Sequence, residues 1–194
     1  MAESQIQNFN HLKIHSQFSI CEGAIKIDDL KEISKEKKIR SLALCDTSNL
    51  CGALEFAEKI SKVGTQPIIG TQINFKLNDT IGLLPLFALN EIGYKRIIEL
   101  SSLSYLNNDG TLDPHLNFEE LLKNNEGVAI FSGTINGLVG QLFNKGKFSE
   151  IEKLYSKLKL KYGDKFYIEI QRHGDQNEIS FEKFNLSQLS LIHI

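Results

Sequence analysis

Cysteine is scarce in this sequence. Cys21, Cys45 and Cys51 are the only three in 194 residues, an odd number without C-x-x-C spacing. That pattern excludes a disulfide framework and a paired zinc–thiolate site, and reads instead as buried, reduced thiols in a cytosolic protein. Long apolar runs are missing as well: nothing approaches the roughly 18–20 apolar residues of a membrane-spanning helix. The opening MAESQIQNFN is too polar for a signal peptide. Charge of one sign is not in excess, since 22 Lys and Arg against 24 Asp and Glu leave a net charge of −2. Nothing therefore pulls the whole chain toward nucleic acid or a membrane surface. Several chemical signatures are absent too. ICEG and GTINGLVG are glycine-containing turns rather than a P-loop or a dinucleotide fingerprint. Ser132 lacks the G-x-S-x-G elbow of a serine hydrolase. RNA-binding aromatic pairs and zinc-finger spacings are not found. The expectation is a cytoplasmic protein with no membrane partner.

What is present is an ordinary core-forming composition, 41% hydrophobic and 24% charged, consistent with a single domain over residues 1–194. The apolar period alternates between strand and helix. FNHLKIH (9–15) reads as a first strand, IKIDDLKEISKEKK (25–38) as an amphipathic helix with Ile27, Leu30 and Ile33 inward, and SLALC (41–45) as a buried strand. DTSNLCGALEFAEKISK (46–62) starts a second helix, with Thr47 or Ser48 as its cap. QPIIGTQINFKL (66–77) and LLPLFAL (83–89) read as strands, NEIGYKRIIELSSLSYL (90–106) as a helix, and NNDGTLDPHLN (107–117) as a loop. NFEELLK, INGLVGQLFN and FSEIEKLYSKLKLKYG are helical, the last with Phe148, Ile151, Tyr155 and Leu158 on one stripe, while GVAIFSG and FYIEIQ are strands. A helical segment begins at QNEISFEKF and leads into an apolar ending, LSLIHI, with no element after it. This mostly β-α-β-α order predicts a parallel sheet or barrel with helices outside. The lysines of KLYSKLKLKYGDK (153–165) read as a solvated face.

In such a fold, functional residues gather at the carboxyl ends of strands. Those found there are His15, Asp46, Thr47, Gln72, Ser132 and His173. The stretch HLKIHSQFS (11–19) is the most telling, because alternation along a strand puts His11, Lys13 and His15 on one face. An H-x-H pair there would suit a metal, yet a lysine stands in the middle.

Five blocks in order carry a family resemblance: FNHLKIHSQFSICEGAIKI, LALCDTSNLCGALEFAEK, QPIIGTQINF, FALNEIGYKRIIELSS and FYIEIQRHG. From about residue 9 to about 184 the chain resembles the amino-terminal PHP (polymerase and histidinol phosphatase) domain of the bacterial replicative DNA polymerase III alpha subunits. The resemblance implies an α/β fold, a distorted (β/α)7 PHP barrel, here incomplete at its carboxyl end with the last strand missing and residues 185–194 atypical. Metal-competent members hold a three-metal cluster at the strand ends and hydrolyse phosphate esters.

By that resemblance His15, Glu22, Asp46 and His173 stand at retained, vestigial ligand positions, and no residue is assigned a catalytic role. Lys13, Thr47, Gln72 and Leu83 stand at lost ones, where the family carries histidine, histidine, glutamate and histidine. His193 is no substitute for the family's last ligands. An ammonium at Lys13 repels a cation, and the carboxylate missing at Gln72 removes charge that a cluster needs. Lys13 is expected to pair with Asp46 or Glu22.

The resemblance implies a non-catalytic structural and docking domain for DNA replication. Its partners would be the epsilon proofreading exonuclease subunit, the rest of the alpha polypeptide and, through the holoenzyme, DNA. No resident cofactor is expected beyond a residual single manganese or zinc ion. The magnesium-dependent nucleotidyltransferase chemistry of a DNA-directed DNA polymerase would lie in the remainder of alpha. The alternative is a metal-dependent phosphoesterase or 3′–5′ exonuclease using His15, Glu22, Asp46 and His173. A third reading is a truncated product with no stable function of its own.

Overall fold

The computed structural model describes residues 9–106 and 112–192. By internal contacts the chain divides into two compact units, residues 1–71 and 72–194. The start of the expected 107–117 loop, and His193, lie outside the described residues.

In the first unit, α1 (Ile27–Lys37) has Asp28 and Asp29 in its first turn and Lys35 and Lys37 in its last, charges that complement the helix dipole. Lys38, in the left-handed region at φ 50°, ends the helix and returns its N–H to Ser34 and Lys35 carbonyls. β1 (Ser41–Thr47) is buried from Leu42 to Asp46. α2 covers Ala53–Ser61, and β2 (Gln66–Leu77) begins in this unit, with Pro67 near its start. Ile27, Leu30, Leu42, Leu44, Phe56 and Ile60 form the core, with Ile14, Phe18 and Ile25 packed against it. Each such full burial is worth about 1.5–3 kcal/mol. Lys59 ties the two helices by pairing with Asp28 at 2.6 Å.

Two expectations fail in this unit. FNHLKIH does not form a full strand. It makes isolated bridges, Ile14 with Leu44 and Ser16 with Ile25, and its carbonyls at His11 and Ile14 accept from Ala43 and Cys45. The ladder ends because the Ser16 N–H is given to the Asp46 carboxylate instead of a strand neighbour. Neither Thr47 nor Ser48 caps α2, which starts after Gly52 without a side-chain cap. Ser48 adopts φ +57°, and Asn49 organises a turn instead. Its Nδ2 donates to Phe18 O and Thr47 O, and its Oδ1 accepts from Cys51 N.

The second unit holds β3 (Thr80–Ala88), α3 (Glu91–Leu106), β4 (His115–Asn117), α4 (Phe118–Lys123), β5 (Val128–Phe131), α5 (Leu138–Asn144), α6 (Phe148–Tyr162), β6 (Phe166–Tyr167) and α7 (Gln176–Ile192). The sheet order there is β2-β3-β5-β6, with β4 on β2. β4 runs parallel to β2, pairing Asn74 with His115. β6 runs parallel to β5. β5, however, is antiparallel to β3. β2 passes to its neighbour β3 through Asn78 and Asp79 alone, a connection too short for a parallel crossover. The sheet is therefore mixed, which corrects the expected parallel array.

The end of the expected loop is β4, and the sixth strand is only two residues long. The apolar ending is the last part of α7, which runs to Ile192. On α6, Ile151, Leu154, Tyr155, Leu158 and Tyr162 face inward, while Phe148 is 46% exposed. Its lysines are partly answered, Lys157 by Glu119 and Lys159 by Asp164.

The short helix α4 is held from outside. The Arg96 side chain, 6% exposed, donates from Nη2 to Glu120 O at 2.7 Å and from Nε to Asn124 O at 3.1 Å. Tyr162 Oη donates to Leu121 O at 2.9 Å. These donors satisfy carbonyls that a helix end leaves open.

Candidate functional site

The residues flagged from the sequence converge in the first unit around Asp46, at the end of β1. Its side chain is 1% exposed. Three donors close on the carboxylate: Ser16 N at 2.6 Å and Ser19 Oγ at 2.7 Å reach Oδ1, and Ser16 Oγ reaches Oδ2 at 2.8 Å. A buried carboxylate needs such donors, because an unpaired buried charge is prohibitive. Each serine is used twice. Ser16 Oγ also accepts from Phe18 N at 3.2 Å, and Ser19 Oγ accepts from Thr47 N at 3.0 Å. On the other side, Thr71 Oγ1 donates to Asp46 O at 2.6 Å. Asp46 thus clasps the 16–23 turn onto β1. Within that turn Gly23 is fixed by contact, since a Cβ there would lie 2.1 Å from Ser16 O.

Glu22 and Thr47 meet directly, the threonine hydroxyl donating to Glu22 Oε2. His15 is half-buried, and its Nδ1 is buried without a hydrogen-bond partner. Lys13 is half-buried on the same segment. The donors that close on the Asp46 carboxylate are the two serines, and Glu22 receives the Thr47 hydroxyl. Cys45 is buried, as expected, but Cys21 and Cys51 are exposed, a correction to the reading of all three as buried thiols. Both lie in the turns at the mouth of the clasp, where no core faces them.

The remaining flagged residues belong to the second unit. Gln72 is buried in β2, and Leu83 is half-buried in β3. His173 is exposed and engages Glu178, its backbone N–H and its Nδ1 each 2.8 Å from the carboxylate. That contact, chiefly the side-chain hydrogen bond, holds the Glu178 carboxyl below its ordinary value. Ser132 is buried and accepts the Glu169 N–H at 2.9 Å.

Within either unit, among the described residues, no three His, Cys, Asp or Glu side chains are grouped so as to hold a metal ion. In the first unit the reason is geometric. The Asp46 oxygens are spent on serines, Glu22 is taken by Thr47, and one free imidazole nitrogen at His15 is not a cage. The serines, Thr71 and Asn49 escaped the sequence reading. The signal was S-x-x-S directly after His15, two hydroxyls spaced to meet one carboxylate.

The PHP domain family matches residues 11–173. The chain belongs to that family. A DNA polymerase III subunit alpha of Caulobacter vibrioides is 35% identical over 187 residues, 90% of this chain and 16% of that protein. The subunit alpha of Rickettsia felis is 36% identical over 166 residues, 85% of this chain and 14% of that protein. The chain thus spans about a sixth or less of the length of these relatives. Among solved structures, an amidohydrolase from Chromobacterium violaceum superposes with a TM-score of 0.42 at 15% identity, over 50% of this chain and 34% of that one. No helix among the described residues is long and apolar enough to cross a membrane.

Proposed function

We propose that this PHP domain is the amino-terminal part of a DNA polymerase III alpha subunit and acts there as a structural and docking domain in cytoplasmic DNA replication. On this reading its mixed sheet belongs to a distorted seven-stranded barrel whose ancestral metal site is degraded. The observation that carries the reading is the Asp46 clasp, in which serine hydroxyls and a backbone N–H supply the positive ends of dipoles to a buried carboxylate. Lys13, Thr47, Gln72 and Leu83 add to it as ligand positions given over to non-ligands. The partner would be an epsilon-type proofreading exonuclease. Polymerisation from deoxynucleoside triphosphates on DNA, with magnesium, would reside in the rest of alpha.

The alternative reading, a PHP phosphoesterase or 3′–5′ exonuclease, is favoured by one observation, the unpartnered Nδ1 of His15. That nitrogen is where a residual manganese or zinc ion would be sought. Elemental analysis of the purified chain after incubation with manganese and zinc decides between the two. Sub-stoichiometric metal, with measurable binding of the epsilon subunit in a titration, is the expected result. Two or more tightly held ions per chain overturn the scaffold reading, and metal-free protein that ignores epsilon overturns the docking role.

A further inference from the structure

The first unit carries an open groove that the reading above does not use. Ile14, Ile25, Leu30, Ile33, Ile39 and Leu42 line it, and its volume is about 380 Å³. That size and apolar character suit a surface that takes up side chains of another molecule. On α1 the lining residues Leu30, Ile33 and Lys37 are three and four apart, hence on one face. Ile14, Ile25, Ile33 and Ile39 are only half-buried, so the groove has apolar area left to cover.

One end of this groove is cationic. Lys37 is itself part of the wall, and the lining residue Ile39 stands in the chain between Lys38 and Arg40. Lys35, Lys37, Lys38 and Arg40 are all exposed. The end of α2 meets this corner, where Thr65 Oγ1 donates to Ile39 O at 2.7 Å and Gln66 N donates to Arg40 O at 2.9 Å. The exposed Lys62 lies three residues before that junction. Other lysines of the unit find acids, Lys59 at Asp28 and Glu55, and Lys31 at Glu32. Among the described residues, no ion pair engages Lys35, Lys37, Lys38, Arg40 or Lys62. Glu36 and Glu58 are the acids on the adjoining turns, and they leave positive charge in excess. A helix end carries about half a negative charge, too little to balance the rest.

Apolar wall and basic end together select the partner. A phosphodiester backbone is met by cations and hydrogen-bond donors, and has no use for a wall of isoleucine. A small apolar ligand with one carboxylate would leave most of the cations unanswered. A protein segment bearing both apolar and acidic side chains answers both halves. We propose that the groove and its basic end dock an acidic peptide segment of a partner protein. Its apolar side chains lie against Ile33 and Ile39, and its carboxylates meet Lys37, Lys38 and Arg40. The surface lies toward the opposite end of β1 from Asp46, and the proposal holds whether or not an exonuclease docks on the domain.

Fluorescence anisotropy tests this, with the full chain titrated into a labelled peptide of glutamates with leucines at helical spacing. The expected result is saturable binding that weakens as salt is raised. Binding is expected to fall at least tenfold for Lys37→Glu/Arg40→Glu, and at least tenfold when serine replaces leucine in the peptide. Lys153→Glu/Lys161→Glu, which reverses two exposed charges on α6, is expected to bind like the parent. Thermal melts check that each variant folds, and Lys37→Gln/Arg40→Gln replaces the charge reversal if that pair does not. No saturable binding to the parent overturns the proposal, as does undiminished binding by a folded Lys37/Arg40 variant. A serine peptide bound as tightly as the leucine one removes the groove from the account. A single-stranded oligonucleotide that displaces the peptide overturns it in favour of nucleic acid. A dimer of the chain alone, seen in sedimentation and dissolved by the same variant, overturns it in favour of a second copy.

Discussion

Ser19 Oγ stands 2.7 Å from Asp46 Oδ1 and at the same time receives the Thr47 N–H at 3.0 Å. One hydroxyl thereby joins a turn, a buried carboxylate and the backbone at the last residue of β1. Replacing Asp46 with alanine strips three donors of their shared acceptor inside the fold. Asp46→Ala is expected to cost about 3 kcal/mol or more, and Ser19→Ala about 1–2 kcal/mol. Urea denaturation of the variants measures both, with the exposed Ser102→Ala as a control expected to stay within about 0.5 kcal/mol. Equal stabilities for Asp46→Ala and the parent would show that the clasp does not stabilise the first unit.

Restoring two lost ligand positions is not expected to restore a metal centre, because the Asp46 carboxylate remains committed to Ser16 and Ser19. The double variant Lys13→His/Thr47→His is expected to show no metal-dependent phosphatase turnover with manganese or zinc. Turnover above that of the parent chain on a chromogenic phosphate ester would refute this.

Legibility in the sequence followed the physics of each element. β2 was read to the residue as a continuous apolar run, and α3 to within one, since it buries Gly93, Arg96, Ile97, Leu100 and Ser104 at helical spacing. FNHLKIH was misread because its alternation is genuine while its pairing is interrupted by Ser16 turning to Asp46, a tertiary hydrogen bond that leaves no periodic trace. The antiparallel β3–β5 pair was invisible for a related reason, since apolar strands look alike whichever way a neighbour runs. At the site, Asp46 was legible by its place after a buried strand. Its serine partners were not, because hydroxyls in a polar turn look like any other turn.

Tyr155 and Tyr162 are buried, which raises both phenols above the ordinary tyrosine value of 10.0; hydrogen bonding to Ser132 and the nearby Arg96 charge oppose this only in part. A folded pKa above the unfolded one means the native state keeps its protons longer. Stability from these groups is therefore intact below about pH 10 and is lost as pH rises beyond it. Denaturation midpoints should fall above that pH, and less so in Tyr162→Phe than in the parent when each is referred to its own neutral value. Absorbance of the phenolate near 295 nm reports the same event, with these two tyrosines ionising only as the chain unfolds.

Gly93 and Gly127 touch through their backbones. A Cβ on Gly93 would lie 1.8 Å from Gly127 O, and the Gly93 N–H donates to Asn90 Oδ1 at 2.9 Å. Gly93→Ala must push α3 off the turn before β5, and is expected to lower stability by about 3 kcal/mol. Gly146→Ala, in open space at φ +68°, should cost only the left-handed penalty of about 1 kcal/mol. Thermal melts separate the two, and similar losses would sink the clash argument.

Arg96 gives α4 a dependence that its own sequence does not. Six residues are too few to sustain a helix in water, and the carbonyls of Glu120 and Asn124 are met by a side chain that α3 supplies. α4 therefore has no independent folding equilibrium. With Tyr162 of α6 on the Leu121 carbonyl as well, the amides of α4 are expected to be no better protected from exchange than the anchors that α3 and α6 supply.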